Sequence, residues 1–332
     1  MFKKIDRWLA KKGINKIMCY SIKVETSFKK IQHNFAADVD YKRFLRVYEN
    51  RSKGLEHFNI PRNIDRNFSD LDTAIGENIR DHIQTFNRVR VEKIEKKLAE
   101  KKSLRDELLK KIEKKWSKTS QKKLETTERV LSRSLSQLEK ILKDPCKEED
   151  SRVFMYSYSP SVISEPRTGQ KKIIPLRYQI RPAGSLEEFP TKINGFNARI
   201  DSLHIRKNWR RLFMKSHAAI MLSSFFEWVV GPQQKDQVVE FFPENGHCLW
   251  SPALWDSWTS TDGKTTIESY AILTRDPSLE VAAVGHDRSP QFMDTEFMNS
   301  WLSPEVKPST YFYDYFKTHR QVKMDHRFHE KA

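Results

Sequence analysis

Apolar positions along the chain repeat with two different periods, and the change from one to the other divides it. From about Val89 to Trp116 they recur at helical spacing, at Val91, Ile94, Leu98, Leu104, Leu108, Ile112 and Trp116. The polar break Ser117-Lys118-Thr119-Ser120 separates this run from Leu124, Leu131, Leu135, Leu138 and Leu142. Asp144-Pro145 ends the pattern, because proline disfavours helix in the residue before it. Two amphipathic helices joined by a short turn predict an antiparallel helical hairpin. The stretch from Tyr41 to Arg80 is mixed and polar and predicts short helices and loops leading into it.

From Val153 the period shortens. Strand-like runs follow: Val153-Phe-Met-Tyr-Ser-Tyr158, His217-Ala-Ala-Ile-Met-Leu222, Val238-Val-Glu-Phe-Phe242 and Ser269-Tyr-Ala-Ile-Leu-Thr274. Pro243-Glu-Asn-Gly246 and Thr261-Asp-Gly-Lys264 lie between such runs and read as hairpin turns. Asp294 is placed to cap a short helix through Trp301 and Leu302. The expected fold is α+β: an antiparallel, partly barrel-like β domain with flanking helices, interrupted by an inserted helical hairpin at about residues 50–145.

Composition sharpens this picture. In a chain of 332 residues, 31% charged and 38% hydrophobic, part of the length is solvated helix and not core. The net charge of +16 favours phosphate-rich partners. It is concentrated, however: residues 90–123 hold 14 Lys or Arg against 6 Asp or Glu, which is +8. The hairpin is therefore either a solvated or partner-binding arm or a guide for DNA. No apolar run approaches the roughly 20 residues that span a bilayer, and Met1-Phe-Lys-Lys-Ile-Asp-Arg-Trp-Leu9 lacks the apolar block of a secretory signal. Cys19, Cys146 and Cys248 cannot all pair and show no Cys-x-x-Cys spacing, which argues against a disulfide scaffold and fits a reducing cytoplasm. No metal or other cofactor is implied by the spacing of His, Cys and carboxylates.

Four stretches could carry chemistry: Met18-Cys19-Tyr20, Phe196-Asn197-Ala198-Arg199, Phe225-Phe226-Glu227-Trp228 and Gly285-His286-Asp287-Arg288-Ser289-Pro290. Singly each has a plain structural reading. A Glu beside a Trp on an apolar strand is usually a packing or salt-bridge residue, Asn197 can serve a turn, and a free cysteine is commonly an inert buried thiol. Their order is more specific, and it resembles the SOS-response-associated peptidase family, whose members process abasic sites. Ile174-Pro175-Leu176-Arg177-Tyr178-Gln179-Ile180-Arg181-Pro182 resembles the family's Pro-x-Arg-Trp-Gly-Leu-x-Pro segment, and Ala271-Ile-Leu-Thr274 fits as well. The resemblance covers Cys19 to about Glu49 and Arg152 to about Pro304. Residues 1–18 form an extension, and the domain runs from 19 to 332.

The resemblance implies a bacterial or phage-type protein of the cytoplasm and nucleoid, with single-stranded DNA carrying abasic sites as its partner and no membrane. In that family the initiating methionine is removed and cysteine becomes residue one. Cys19 would then present a 1,2-aminothiol to the aldehyde of a ring-opened abasic site. The amine forms a Schiff base and the neighbouring thiol closes a thiazolidine intramolecularly. With an α-amino pKa of roughly 7.7–8.0 against roughly 10.4 for lysine, about a third of that amine is neutral at pH 7.5, compared with about one lysine in a thousand. By the same resemblance Glu227 would be the general acid/base, His286 would protonate the sugar oxygen or support reversal, and Asn197 would orient the amine or the sugar. Arg199 and Arg288 become candidate phosphate contacts. Trp228 and Tyr178 are either base-stacking rings or core.

Several positions depart from the family pattern. Seventeen residues precede Met18, and if they stay attached Cys19 has an amide and no free amine. The usual Met-Cys-Gly-Arg opening is Met18-Cys19-Tyr20-Ser21, the Arg-Tyr-Asn-x-x-Pro segment is Met155-Tyr156-Ser157-Tyr158-Ser159-Pro160, and Trp-Gly is Tyr178-Gln179. Beyond Ser309 the chain finds no counterpart. Two other functions compete: a cysteine peptidase in which Cys19, Glu227 and His286 remove the leader, and a non-catalytic protein that binds nucleic acid or a partner through the basic hairpin.

Overall fold

The structure is a computed structural model that describes residues 21–55, 59–143, 147–165, 168–186, 195–230, 236–303, 305, 307–319 and 322–329. Met18, Cys19, Tyr20 and Cys146 lie outside the described residues. The first part of the chain gives β1 (Ser21–Val24), α1 (Phe28–Phe35), β2 (Asp38–Val39), α2 (Tyr41–Lys53), α3 (Arg62–Asp65), α4 (Ala74–Lys114) and α5 (Lys118–Leu142). Next come β3 (Arg152–Phe154), β4 (Tyr158–Ser164), β5 (Lys171–Tyr178), β6 (Asn197–Arg199), α6 (Lys207–Phe213), β7 (His217–Val230), β8 (Asp236–Pro243), β9 (Leu249–Thr259) and β10 (Thr266–Arg275). The last are α7 (Leu279–Ala283), β11 (Ser289–Pro290), α8 (Thr295–Trp301), α9 (Ser309–Thr318) and β12 (Met324–His329).

The twelve described strands form one sheet organised on β7. One edge of β7 carries β1 on its C-terminal half and β4 on its N-terminal half. The other edge carries β8 and β9 in the same order. β9 continues to β10, β10 to β5 and β5 to β4, so β4, β5, β10, β9 and β7 close a five-stranded ring. Every contact in that ring is antiparallel except β10 with β5. This is the α+β, partly barrel-like arrangement expected from the sequence.

Two apolar clusters fill the two sides of the sheet. Ala218, Ile220 and Leu222 of β7 meet Ile174, Leu176, Tyr270 and Ile272 on the inner side. Ala219 faces the other side, where Val162, Ala271 and Leu273 are covered by Phe28, Phe44, Trp301 and Phe316 from the helices. Because both faces are covered, β4 and β10 are buried almost without interruption, which explains why they read as apolar runs and not as alternating patterns. Helix α8 is held against the outer side by the Trp301 ring stacked on His217 and by its Nε1–H donating to the Ala218 carbonyl at 2.9 Å. As expected, Asp294 caps this helix, accepting from the Phe297 amide at 2.7 Å.

Two expectations need correction. The turn at Pro243–Gly246 forms, with Gly246 in the left-handed region at φ 69°, but it does not make a hairpin. β8 and β9 do not pair with each other; the chain resumes along the same edge of β7 that it has just left. The stretch 153–158 is not one strand either. Tyr156 takes a positive φ of 65° between β3, which pairs with β1, and β4, which pairs with β5 and β7, so the chain changes partners there. By contrast, the Thr261–Lys264 turn does join a hairpin, β9 to β10.

The helical hairpin is present and longer than its periodicity suggested. α4 begins at Ala74, where the Thr73 side chain accepts from the Gly76 amide. Its first turns bury Ile79 against the body of the protein, so its apolar face rotates once it leaves that surface. Beyond it, Ile94 and Leu98 meet Leu131, Leu138 and Ile141 of α5 in a small cluster of their own. Ser117 caps α5, so the polar break is a helix start.

The last strand is fixed by a buried carboxylate. Glu240 on β8 accepts from Ser224 at 2.8 Å, and from Arg327 and His329 of β12 at 2.9 Å each. Burial pushes its pKa up, but these three donors outweigh that and hold it below the usual carboxylate value.

Two outcomes follow. Leu98→Ala removes part of the separate hairpin cluster at a local cost of about 2–5 kcal/mol. Hydrogen exchange should quicken in α4 and α5 while the sheet amides keep their protection. Glu240→Gln should lower stability to urea by about 1–3 kcal/mol at pH 7. Because the folded pKa is depressed, this contribution is complete above the unfolded value of about 4.3. It should fade as pH falls through the folded value, so wild type and variant converge in acid.

Candidate active site

Glu227 sits on β7 with no exposed surface. A strand alternates its side chains, so Ala218, Ile220 and Leu222 alone would send residue 227 to the opposite face. A β-bulge prevents this. Lys23 pairs with Ser224 and Val24 with Leu222, leaving Ser223 as an extra residue whose hydroxyl donates to the Lys23 carbonyl at 3.3 Å. The extra residue resets the alternation, so Phe225 and Val229, the neighbours of Glu227 on its face, join the inner cluster. Trp228 is half-buried on the opposite face, with Phe226.

His286 arrives from the loop between α7 and β11. Ser278 caps α7, Gly285 turns the chain at φ 89°, and the His286 amide donates to the Val281 carbonyl at 3.3 Å. Pairing of Ser289 and Pro290 with β10 fixes the other end of the loop. The ring is thereby held with Nε2 3.3 Å from Glu227 Oε2, both side chains buried. Its Nδ1 lies 3.3 Å from the Arg288 amide nitrogen and 3.0 Å from the Arg288 carbonyl. A neutral ring can accept at Nδ1 from that amide, and a protonated ring can donate to that carbonyl. Nδ1 therefore has a backbone partner in either charge state.

Asn197 is buried on β6, which runs parallel to β10. Tyr178 donates its hydroxyl to Asn197 Oδ1 at 3.2 Å. Tyr178 has no exposed surface and stacks on Tyr270, so it is a packing and positioning residue and not a platform for an exposed base. Tyr270 in turn accepts from Ser159 at 3.0 Å, and burial drives its pKa well up, keeping the phenol neutral. Asn197 thus reaches the inner cluster through Tyr178, and Glu227 reaches it through Phe225 and Val229.

The two candidate phosphate-binding arginines are already compensated. Arg199 pairs with Asp201. Arg288 is buried and pairs with Asp276 at 2.7 Å, with Asp201 at 3.8 Å. Asp201, Asp276 and Arg288 line a cleft of about 770 Å³ beside α9. A phosphate there would compete with two carboxylates for the same donors. Among the described residues, no group of three or more His, Cys, Asp or Glu is arranged to hold a metal ion. No described helix is long and apolar enough to cross a membrane.

Two residues to which the motifs gave no role stand near β1 and β6. Arg152 of β3 donates its Nε–H to Ser21 Oγ at 2.8 Å and lies 3.6 Å over the Phe226 ring. It brings a guanidinium beside the position where the family opening has its arginine. Tyr156 is well exposed, edge-on to Phe196 and within 5.8 Å of the Arg177 guanidinium. Tyr156 lies in the segment that matches the family's Arg-Tyr-Asn-x-x-Pro, but nothing in the linear sequence marks Arg152, since 131 positions separate it from Ser21. Gln179 explains another departure: it takes a φ of 97°, a region that favours glycine, where the family segment has one. A non-glycine residue there stores strain of about 1–3 kcal/mol.

Residues 101–328 match the SOS response associated peptidase (SRAP) family. This chain belongs to that family. The match runs into β12, beyond Ser309 after which the motifs found no counterpart, and it begins within α4. In sequence the chain is 24% identical over 155 residues to the abasic site processing protein HMCES of Xenopus tropicalis, covering 41% of this chain and 46% of that protein. It is 22% identical over 169 residues to the protein of the same name from Pongo abelii, covering 42% and 48%. The chain thus spans about half the length of the curated relatives it matches. Among solved structures it is similar to a protein from Bacteroides thetaiotaomicron, 18% identical with a TM-score of 0.46 over 53% of this chain and 76% of that one. A protein from Bordetella bronchiseptica is 19% identical with a TM-score of 0.46, covering 55% and 88%.

Glu227 and His286 should act as one unit. A double-mutant cycle of Glu227→Gln and His286→Asn, read by urea unfolding, should give a coupling energy of about 0.5–3 kcal/mol. Simple additivity would mean that the pair does not interact.

Proposed function

We propose that this protein processes abasic sites in single-stranded DNA by covalent capture on Cys19, freed as the N-terminal residue. The observation that carries the reading is the register of β1. Ser21 pairs with Phe226, the residue beside Glu227. Cys19 precedes Ser21 by two residues in the sequence. Family membership and the names of the two relatives support the same chemistry. On this reading residues 1–18 are absent from the active form, and 19–332 make one domain carrying the helical insertion.

The free amine of Cys19 attacks C1′ of the ring-opened sugar, and loss of water gives the imine. The thiol then adds across C=N, its proton passing to nitrogen, and a five-membered thiazolidine results. Glu227 takes and returns the protons of water loss, a task for a carboxylate in a desolvated strand. His286 relays protons between the sugar oxygen and Glu227, since its ring has partners in both charge states. Asn197, held by Tyr178, orients the open sugar. Arg152, which meets Ser21, and Arg177, beside Tyr156, join Arg199 and Arg288 as candidate phosphate contacts, and Tyr156 and Trp228 are candidate rings for a neighbouring base.

The test is a denaturing gel of single-stranded DNA bearing one abasic site. Protein made to begin at Met18, its Cys19→Ala form, and the full 332-residue chain are compared. A DNA-linked band should come from the Met18 form alone, and Glu227→Gln should slow its appearance by about 10²- to 10⁴-fold. No band from the Met18 form, with the methionine shown by intact mass to be gone, would overturn the reading. If the full chain instead loses its leader only when Cys19 is intact, self-cleavage is the activity.

A further inference from the structure

The helical hairpin lies outside this chemistry, and its charge is not spread evenly. Residues 110–123, the end of α4, the turn and the start of α5, contain seven lysines and one glutamate, a net of +6. Lys110, Lys111, Lys114, Lys115, Lys118, Lys122 and Lys123 are all exposed. Among the described residues none of them makes an ion pair, whereas Arg105, farther down the same helix, pairs with Asp106. In the turn itself stands Trp116, 66% exposed and the most exposed aromatic side chain among the described residues. The hairpin seam does not need it: that is made by Ile94, Leu98, Leu108, Leu124 and Leu131, each nearly buried.

We propose that this tip is a nucleic-acid contact separate from the reactive centre, in which Trp116 stacks on an unpaired base and the surrounding lysines take the phosphates. A ring face amid exposed ammonium groups suits single strands, because every base offers a π-face and every linkage a charge. A lipid surface fits less well. Membrane-seated segments need a broad apolar face, and the immediate neighbours of Trp116 are Lys114, Lys115, Ser117, Lys118 and Thr119.

The tip acts by contact and not by its field. From Phe86, which touches Arg51 at the root, to Lys114 the helix rises roughly 42 Å at about 1.5 Å per residue. That is several times the screening length of about 8 Å at physiological salt. The tip can therefore hold a strand beside the body, raising its local concentration, without changing the electrostatics around Glu227.

The probe is a fluorescein-labelled 20-nucleotide oligo-dT with no abasic site, bound by the full chain and followed by anisotropy across a salt series. Because no aldehyde is present, the result is independent of Cys19 chemistry. Trp116→Ala should weaken binding about tenfold with little change in salt dependence. Lys114→Gln, Lys115→Gln and Lys118→Gln together should make the slope of log K against log salt shallower by about 2, at about 0.7 per phosphate. These side chains are exposed and outside the seam, so circular dichroism should show unchanged helix. Parent-like affinity and slope in both variants would overturn the proposal. So would a loss seen only with vesicles of phosphatidylserine and phosphatidylcholine, which would make the tip a lipid contact. Equal binding of a blunt duplex, insensitive to Trp116→Ala, would overturn the stacking role.

Discussion

The bulge at Ser223 is the constraint on which the site depends. β7 is hydrogen-bonded along both edges, so no other segment can adjust its register without breaking pairs with β1, β4, β8 or β9. One extra residue in such a strand moves everything after it to the other face. Here that shift turns Phe225, Glu227 and Val229 toward the interior that Ala218, Ile220 and Leu222 already occupy. A regular strand would instead carry Glu227 on the Phe226 face, away from the Gly285–Pro290 loop.

Burying a carboxylate at this point has a cost that the surroundings must offset. An isolated charge in an apolar interior is strongly unfavourable, and a paired one is tolerable only with good geometry. His286 supplies a partner, and the loop that carries it is fixed at both ends, by the cap of α7 and by β11. The same logic recurs at Glu240, where three donors hold the carboxylate charged and tie the last strand to β8. The two glutamates lie on neighbouring strands and differ in use. Glu240 is committed to Ser224, Arg327 and His329, whereas the ring facing Glu227 keeps a partner in either protonation state.

The hairpin is built on a different principle. Its helices owe their pairing to a thin seam and their solubility to charge, and the small cluster around Leu98 shares no residue with the two clusters of the sheet. Beyond its root, where Ile79 joins the outer cluster, the arm packs on itself and not on the barrel. That independence also explains why its helical period is so plain in the sequence: no strand imposes a second demand on the seam positions.

Much of the fold was legible because burial leaves a local trace. Strands covered on both faces read as apolar runs, as at 269–274, and the hairpin seam repeats every three to four residues. Asp294 could be recognised as a cap because capping is a matter of adjacent residues. The four motifs picked out Asn197, Glu227 and His286 as candidates, but not how their side chains are placed. The pairing of Ser21 with Phe226, the bulge at Ser223, the approach of Arg152 to Ser21, the neutralisation of Arg288 by Asp276 and the full burial of Tyr178 belong to tertiary structure. Each joins positions far apart in the chain or depends on which edge of β7 a strand selects. That choice is set by packing on both sides of the sheet at once, and no stretch of sequence contains it.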